Sequence, residues 1–168
     1  MTRILLAIPV LALLLAGCSA VGSAGAVAGE ATAAAPAQAG ALPSMTVHKH
    51  PTCGCCAVWI DHVREAGFHV EVRDVEDMAS VKDAAGVPME AASCHTAEVA
   101  GYFVEGHVPA ADIVRLLRER PAARGLAVPG MPLGSPGMEH PDGIVHPYSV
   151  ALVLEDGSSR EFNRYPAE

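Results

Sequence analysis

The chain has 168 residues, enough for one domain of ordinary size. Its formal net charge is −8, and Arg3 and Glu30 cancel within residues 1–44, so the rest of the chain carries all of it. No basic face is visible, which argues against nucleic acid as a partner. Aromatic residues make up only 4%, and much of the 51% hydrophobic content is alanine near the N-terminus, so an aliphatic core is expected.

The N-terminus reads as an export signal. Arg3 precedes "ILLAIPVLALLLAG", which is apolar but too short and too close to the N-terminus for a spanning helix. The run ends in "LAGC", Leu15 to Cys18, which resembles the lipobox of bacterial lipoproteins. The resemblance implies a signal peptide over residues 1–18, acylation of Cys18, and membrane attachment through that lipid anchor alone. Ser19 rather than Asp follows, so the expected location is the periplasm, anchored to the outer membrane. Thiols there tend to oxidise. Residues 19–44 are Ala/Gly-rich without apolar periodicity and read as a flexible tether, leaving 45–168 as the folded domain.

Within that domain "MTVHK" reads as a strand, followed by "PTCGCC" and a helix in which Ala57, Ile60, Val63 and Ala66 recur at helical spacing before Gly67. "FHVEVRDV" alternates as a strand does. "DMASVKDAAG" reads as a short helix starting near Glu76 or Asp77 and closed by Gly86. "CHTAEVAGYFVEG" gives two short strands around Ala100-Gly101, and "PAADIVRLLRERP" a helix between Pro109 and Pro121, with Ile113, Leu116 and Leu117 as its apolar stripe. "GLAVPGMPLGSPGMEHPDG" reads as a Gly/Pro loop, and "YSVALVLEDGSSREFNRY" as a hairpin turning at Asp156-Gly157 and lying at the sheet edge. The order β-α-β-α-β-β-α, with a C-terminal loop and β-hairpin extension, is a thioredoxin-like α/β arrangement. That fold places its dithiol where Cys53 to Cys56 stand.

A helix N-terminus favours a thiolate, and Lys49 is expected to add to that effect. Cys53 and Cys56 have the spacing of a redox pair, so a periplasmic thiol–disulfide oxidoreductase is one reading. Cys55 is surplus to it. Cys55 and Cys56 point about 100° apart around a helix axis, so the thiolates fit several bridged ions better than one tetrahedral ion. That favours Cu(I), a soft ion, over a lone zinc or an iron–sulfur centre. Cys94, in "SCHT", enters the third strand at the position that faces the dithiol in this fold, and would close a four-thiolate basket. His95, His107, Met131 and Met138 are further candidate ligands. His48, His50, His62, His69, His140 and His146 carry a weaker signal. Without metal, the four thiols of the domain allow three disulfide pairings.

The segments "HPTCGCCAVWIDHVREAGF", "VPMEAASCHTAEVAGYFVEGHVPAADIVRLL" and "GLAVPGMPLGSPGME" together resemble the CopG-like family of exported thioredoxin-fold proteins. The resemblance covers most of residues 45–165. It implies a role in copper or silver resistance and a thiolate-bridged, multinuclear copper cluster held by Cys53, Cys55, Cys56 and Cys94. Met131, Met138 and His107 fall in the matching segments. It leaves two roles standing, a copper oxidoreductase that interconverts Cu(I) and Cu(II), and a binding or buffering protein. Copper ions are the expected partners, with periplasmic copper exporters or chaperones beyond them.

Overall fold

The computed structural model describes residues 40–166. The proposed signal peptide, Cys18 and residues 19–39 of the proposed tether lie outside the described residues. Among the described residues no helix is long and apolar enough to cross a membrane.

β1 (Met45–Lys49) alternates, burying Met45, Val47 and Lys49. The turn Pro51–Cys53 leads into α1 (Gly54–Glu65), which buries Cys56, Trp59, Ile60 and Val63. These residues stand at i, i+3, i+4 and i+7, one continuous helical face. Ile60 and Val63 of the anticipated stripe lie on this face, while its two ends, Ala57 and Ala66, are exposed. The face is set by Trp59, whose large apolar area outweighs two methyl groups. β2 (Val70–Asp74) runs parallel to β1 at the sheet edge. α2 (Met78–Ala85) is capped by Asp77, whose carboxylate accepts the Ser80 N–H, and closes at Gly86 in the left-handed region (φ 71°).

A 3₁₀ turn at Met89–Ala91 delivers the chain to β3 (His95–Val99), antiparallel to β1. Ala100 and Gly101, both at positive φ, form the two-residue turn into β4 (Tyr102–Glu105). α3 (Ala110–Glu119) follows Pro109 and buries Ile113 and Leu116, with Leu117 at the margin.

Sequence periodicity does not reveal β5 (Gly125–Ala127), three buried residues inside the expected Gly/Pro loop. β5 pairs parallel to β4 and antiparallel to β6 (Tyr148–Val153), which pairs with β7 (Ser159–Tyr165). One sheet of seven strands results, in the order β2-β1-β3-β4-β5-β6-β7, with β7 at the edge as expected of the hairpin. Gly125 is required there, because a Cβ would strike the Phe103 carbonyl.

The two faces of the sheet are buried differently. Val104, Leu126 and Leu152 join Trp59, Ile60, Val63, Ile113 and Leu116 in the main core. Their sequence neighbours Phe103, Ala127 and Val153 form a second core with Val87 and Ala91. Adjacent strand residues point to opposite faces, so α1 and α3 cover one side and the α2 region the other. The hairpin is fastened to α3 by Asp112, a buried carboxylate that accepts from Asn163 (2.8 Å) and Tyr165 (2.8 Å).

Candidate metal centre

The cysteine turn begins where β1 ends. Lys49 is buried and does not serve the thiols as expected. Its ammonium pairs with Asp74 (2.7 Å) and donates to the carbonyls of His50 (3.3 Å) and Pro51 (3.5 Å), tying the turn to the β1–β2 end of the sheet. Cys53 occupies the N-cap of α1 in an extended conformation. It is joined to Cys56 in a disulfide with Cα atoms 5.4 Å apart. Cys55 and Cys94 are free thiols, and the Cys55 sulfur lies 3.6 Å from that of Cys53.

Cys94 arrives from the other side, between the 3₁₀ turn and β3. The sulfurs of Cys53, Cys55, Cys56 and Cys94 all lie within 4.8 Å of one another. Cys55 and Cys56 are neighbours on the helix, and their sulfurs lie within this distance of Cys53, which precedes the helix, and of Cys94, which reaches them from the segment before β3.

Two elements hold Cys94 in place. Glu105 on β4 is fully buried and accepts from the Ser93 N–H (2.5 Å), the Thr96 hydroxyl (2.7 Å) and the Lys82 ammonium (2.5 Å). Gly106 donates its N–H to the His95 carbonyl (3.0 Å). A Cβ on Gly106 would stand 2.5 Å from the Ser93 hydroxyl oxygen, and its φ of 70° is one glycine adopts freely. The backbone on both sides of Cys94 is therefore fixed.

Around the Cys94 sulfur stand two buried imidazoles, with His107 Nε2 at 3.0 Å and His95 Nδ1 at 3.4 Å. His107 Nδ1 lies 2.8 Å from the Pro136 carbonyl. A carbonyl only accepts, so Nδ1 carries the proton and Nε2 turns its lone pair to the sulfur. The His95 ring packs on Trp59, centroids 4.3 Å apart. Burial first, and then the neighbouring His107 imidazole and Lys82 ammonium, which oppose a proton there, push the His95 imidazole down to about 3. Burial also lowers His107, against the opposing pull of the Pro136 carbonyl and Glu139. Both rings are neutral, the form that ligates metal. Burial, reinforced by Cys55, pushes the Cys94 thiol up to about 11.

The loop after β5 crosses this site. The Ser93 hydroxyl donates to the Gly130 carbonyl, and the Gly130 N–H to the Ala92 carbonyl (3.3 Å). Glu139 accepts from the Gly137 N–H (2.8 Å) and pairs with His62 of α1 (2.6 Å). Gly137 lies against the helix start, where a Cβ would stand 2.8 Å from the Cys55 carbonyl oxygen and 2.9 Å from the Trp59 nitrogen. Gly137→Ala, at φ 85°, is expected to lower stability by about 1–3 kcal/mol. It should also speed alkylation of Cys55 several-fold by lifting the loop. Denaturant unfolding and timed thiol labelling measure the two effects.

Of the residues marked from the sequence, the structure assembles Cys53, Cys55, Cys56, Cys94, His95 and His107. Met138 is half-buried beside Gly137, while Met131 is 54% exposed. His50 contacts Thr52, His140 lies near Asp142, His48 faces Glu98 on the sheet, and His69 and His146 are exposed. Glu105, Lys82 and Trp59 were not marked from the sequence. An acidic residue closing the apolar run "YFV" was the one available signal for the first of them.

The family profile described as "Protein of unknown function, DUF411" matches residues 91–138, from the 3₁₀ turn through Cys94, His95 and His107 to Met138. No curated protein matches the chain. A solved structure of the copper resistance protein copG, in Form 1, is similar at 46% sequence identity with a TM-score of 0.70. That likeness covers 75% of this chain and 99% of the other. The same protein in Form 2 is similar at 46% identity and a TM-score of 0.71, covering 74% and 99%. Sharing the thioredoxin-like fold with a copper resistance protein that it covers almost completely, and carrying a cysteine cluster able to hold metal, the chain belongs to the CopG-like family.

Proposed function

We propose that the protein handles copper in the cell envelope, binding Cu(I) through bridging thiolates of Cys53, Cys55, Cys56 and Cys94 and contributing to copper or silver resistance. The observation that carries this is the placement of all four sulfurs within 4.8 Å of one another, three from one turn and one from the segment before β3. Thiolates are soft donors and favour Cu(I). Four of them at this separation suit a multinuclear cluster, because neighbouring ions share sulfurs. Met138 and, more remotely, Met131 would add thioethers from the crossing loop. The reading includes acylation of Cys18 and periplasmic attachment to the outer membrane, with copper exporters or chaperones as the onward partners.

The test is anaerobic reconstitution of the reduced protein with Cu(I). More than one copper per chain is expected, with stoichiometry falling in Cys55→Ala. One copper or none, or indifference to Cys55, would sink the proposal. Radiolabelled palmitate incorporated into the wild type and absent from Cys18→Ser tests the anchor.

A second reading is favoured by the Cys53–Cys56 disulfide, the bond of a periplasmic thiol–disulfide oxidoreductase. On that reading Cys55→Ala keeps disulfide reductase activity and Cys53→Ala loses it. The two readings meet in one balanced step. Two Cu(II) ions accept one electron each from the Cys53 and Cys56 thiols, giving two Cu(I), one disulfide and two protons.

A further inference from the structure

The Cys53–Cys56 disulfide withdraws two of the four thiolates, yet a compact donor set remains. Cys94, His95 and His107 present one sulfur and two nitrogens within 4.8 Å of one another. An ion about 2.3 Å from sulfur and about 2.0 Å from nitrogen, with tetrahedral angles, sets its donors roughly 3.5 Å apart. The sulfur already stands 3.0 Å from His107 Nε2 and 3.4 Å from His95 Nδ1.

Each imidazole is held for this geometry. The Pro136 carbonyl keeps the proton on His107 Nδ1, so the Nε2 lone pair is directed at the sulfur. The His95 ring packs against Trp59 and meets the His107 ring nearly at right angles, centroids 5.1 Å apart. Its Nε2 is buried and has no hydrogen-bond partner among the described residues. A buried unpaired polar atom is costly, so the imidazole is kept here at that cost, with Nδ1 facing the Cys94 sulfur.

We infer that Cys94, His95 and His107 form a second, mixed sulfur–nitrogen metal site for a borderline divalent cation. It shares the Cys94 sulfur with the thiolate basket and remains available when Cys53 and Cys56 are joined. One thiolate with two imidazoles and an open position suits Cu(II) or Zn(II) and disfavours the purely soft Cu(I). Both histidines are fully buried while Cys94 is only half-buried, so the cation reaches the site from the Cys94 side. The redox state of Cys53–Cys56 thus selects between a soft and a borderline donor set around one shared atom. The inference does not depend on the Cu(I) cluster.

The test uses cobalt(II), which reports its ligands in its visible spectrum and does not oxidise thiols. The full chain carries Cys18→Ser and Cys55→Ser, with the Cys53–Cys56 disulfide intact, so that Cys94 is the single free thiol. One cobalt per chain is expected, with the intense visible bands of a four-coordinate ion and a near-ultraviolet thiolate-to-cobalt band. Cys94→Ser should remove the near-ultraviolet band. His107→Gln should weaken binding by more than the 10–100-fold typical of residues that merely support a ligand. His95→Gln should do the same where circular dichroism shows it folded, and His107→Gln decides the matter if it is not. No stoichiometric cobalt, or a cobalt spectrum and affinity unchanged by His107→Gln, overturns the inference.

Discussion

Cys94→Ser is expected to weaken Cu(I) binding by more than about 100-fold, exceeding the loss seen when only a ligand's supporting residue is removed. The reason is topological. Cys53, Cys55 and Cys56 sit within one turn of chain, and Cys94 alone reaches them from another element. Without its sulfur, three thiolates remain on one side of any bound ion and the opposite side is open to water. Serine keeps the size and the half-exposed position, so thermal unfolding should scarcely move. Competition with a chromophoric Cu(I) chelator under anaerobic conditions measures the loss. Retention of wild-type affinity would place the metal away from Cys94 and undo the basket.

Glu105→Ala should destabilise the protein by about 3–5 kcal/mol, the range for breaking a buried ion pair, with a fall in Tm of roughly 10–20 °C. The carboxylate is fully buried and serves three donors at once. Its removal leaves the Lys82 ammonium, at 14% side-chain exposure, without its counter-charge. It also strips the Ser93 N–H of its acceptor and leaves the Thr96 hydroxyl with the Lys82 ammonium (3.1 Å) as its remaining partner. The double variant Glu105→Ala/Lys82→Met should recover part of the loss, because the stranded charge is gone, though Ser93 stays unpaired. Calorimetry on both variants checks this. A single variant within about 1 kcal/mol of wild type would show that Lys82 finds another partner or reaches solvent. The ion pair also bears on the metal site, since Ser93 precedes Cys94 and shares its backbone constraint.

Part of this protein was legible in its residues. The order of seven elements followed from strand alternation, the Asp77 and Gly86 caps of α2, the prolines bounding α3 and the two-residue turn at Ala100-Gly101. These signals are local, since each concerns residues within one or two turns of chain. The hairpin at Asp156-Gly157 was legible for the same reason. β5 was not, because three residues carry no period and become a strand only when β4 and β6 supply partners on both sides. On α1 Ile60 and Val63 lie on the buried face as their spacing predicts, whereas Ala57 and Ala66 are exposed, because Trp59 sets the orientation.

The metal centre divides along the same line. Three thiols crowding a helix start, a fourth entering a strand that the fold sets opposite, and histidines and methionines nearby are all legible in the residue order. Covalent adjacency and the βαβ order suffice for that. The folded chain is what ties Lys49 to Asp74 instead of letting it assist a thiol. It alone set the four sulfurs within 4.8 Å of one another, and turned the imidazoles of His95 and His107 toward Cys94. It also gave Glu105 to the Ser93 backbone and Pro136 to His107. Those choices rest on hydrogen bonds and packing between residues 12 to 29 positions apart or more, where many partners are chemically equivalent and only the folded chain selects one.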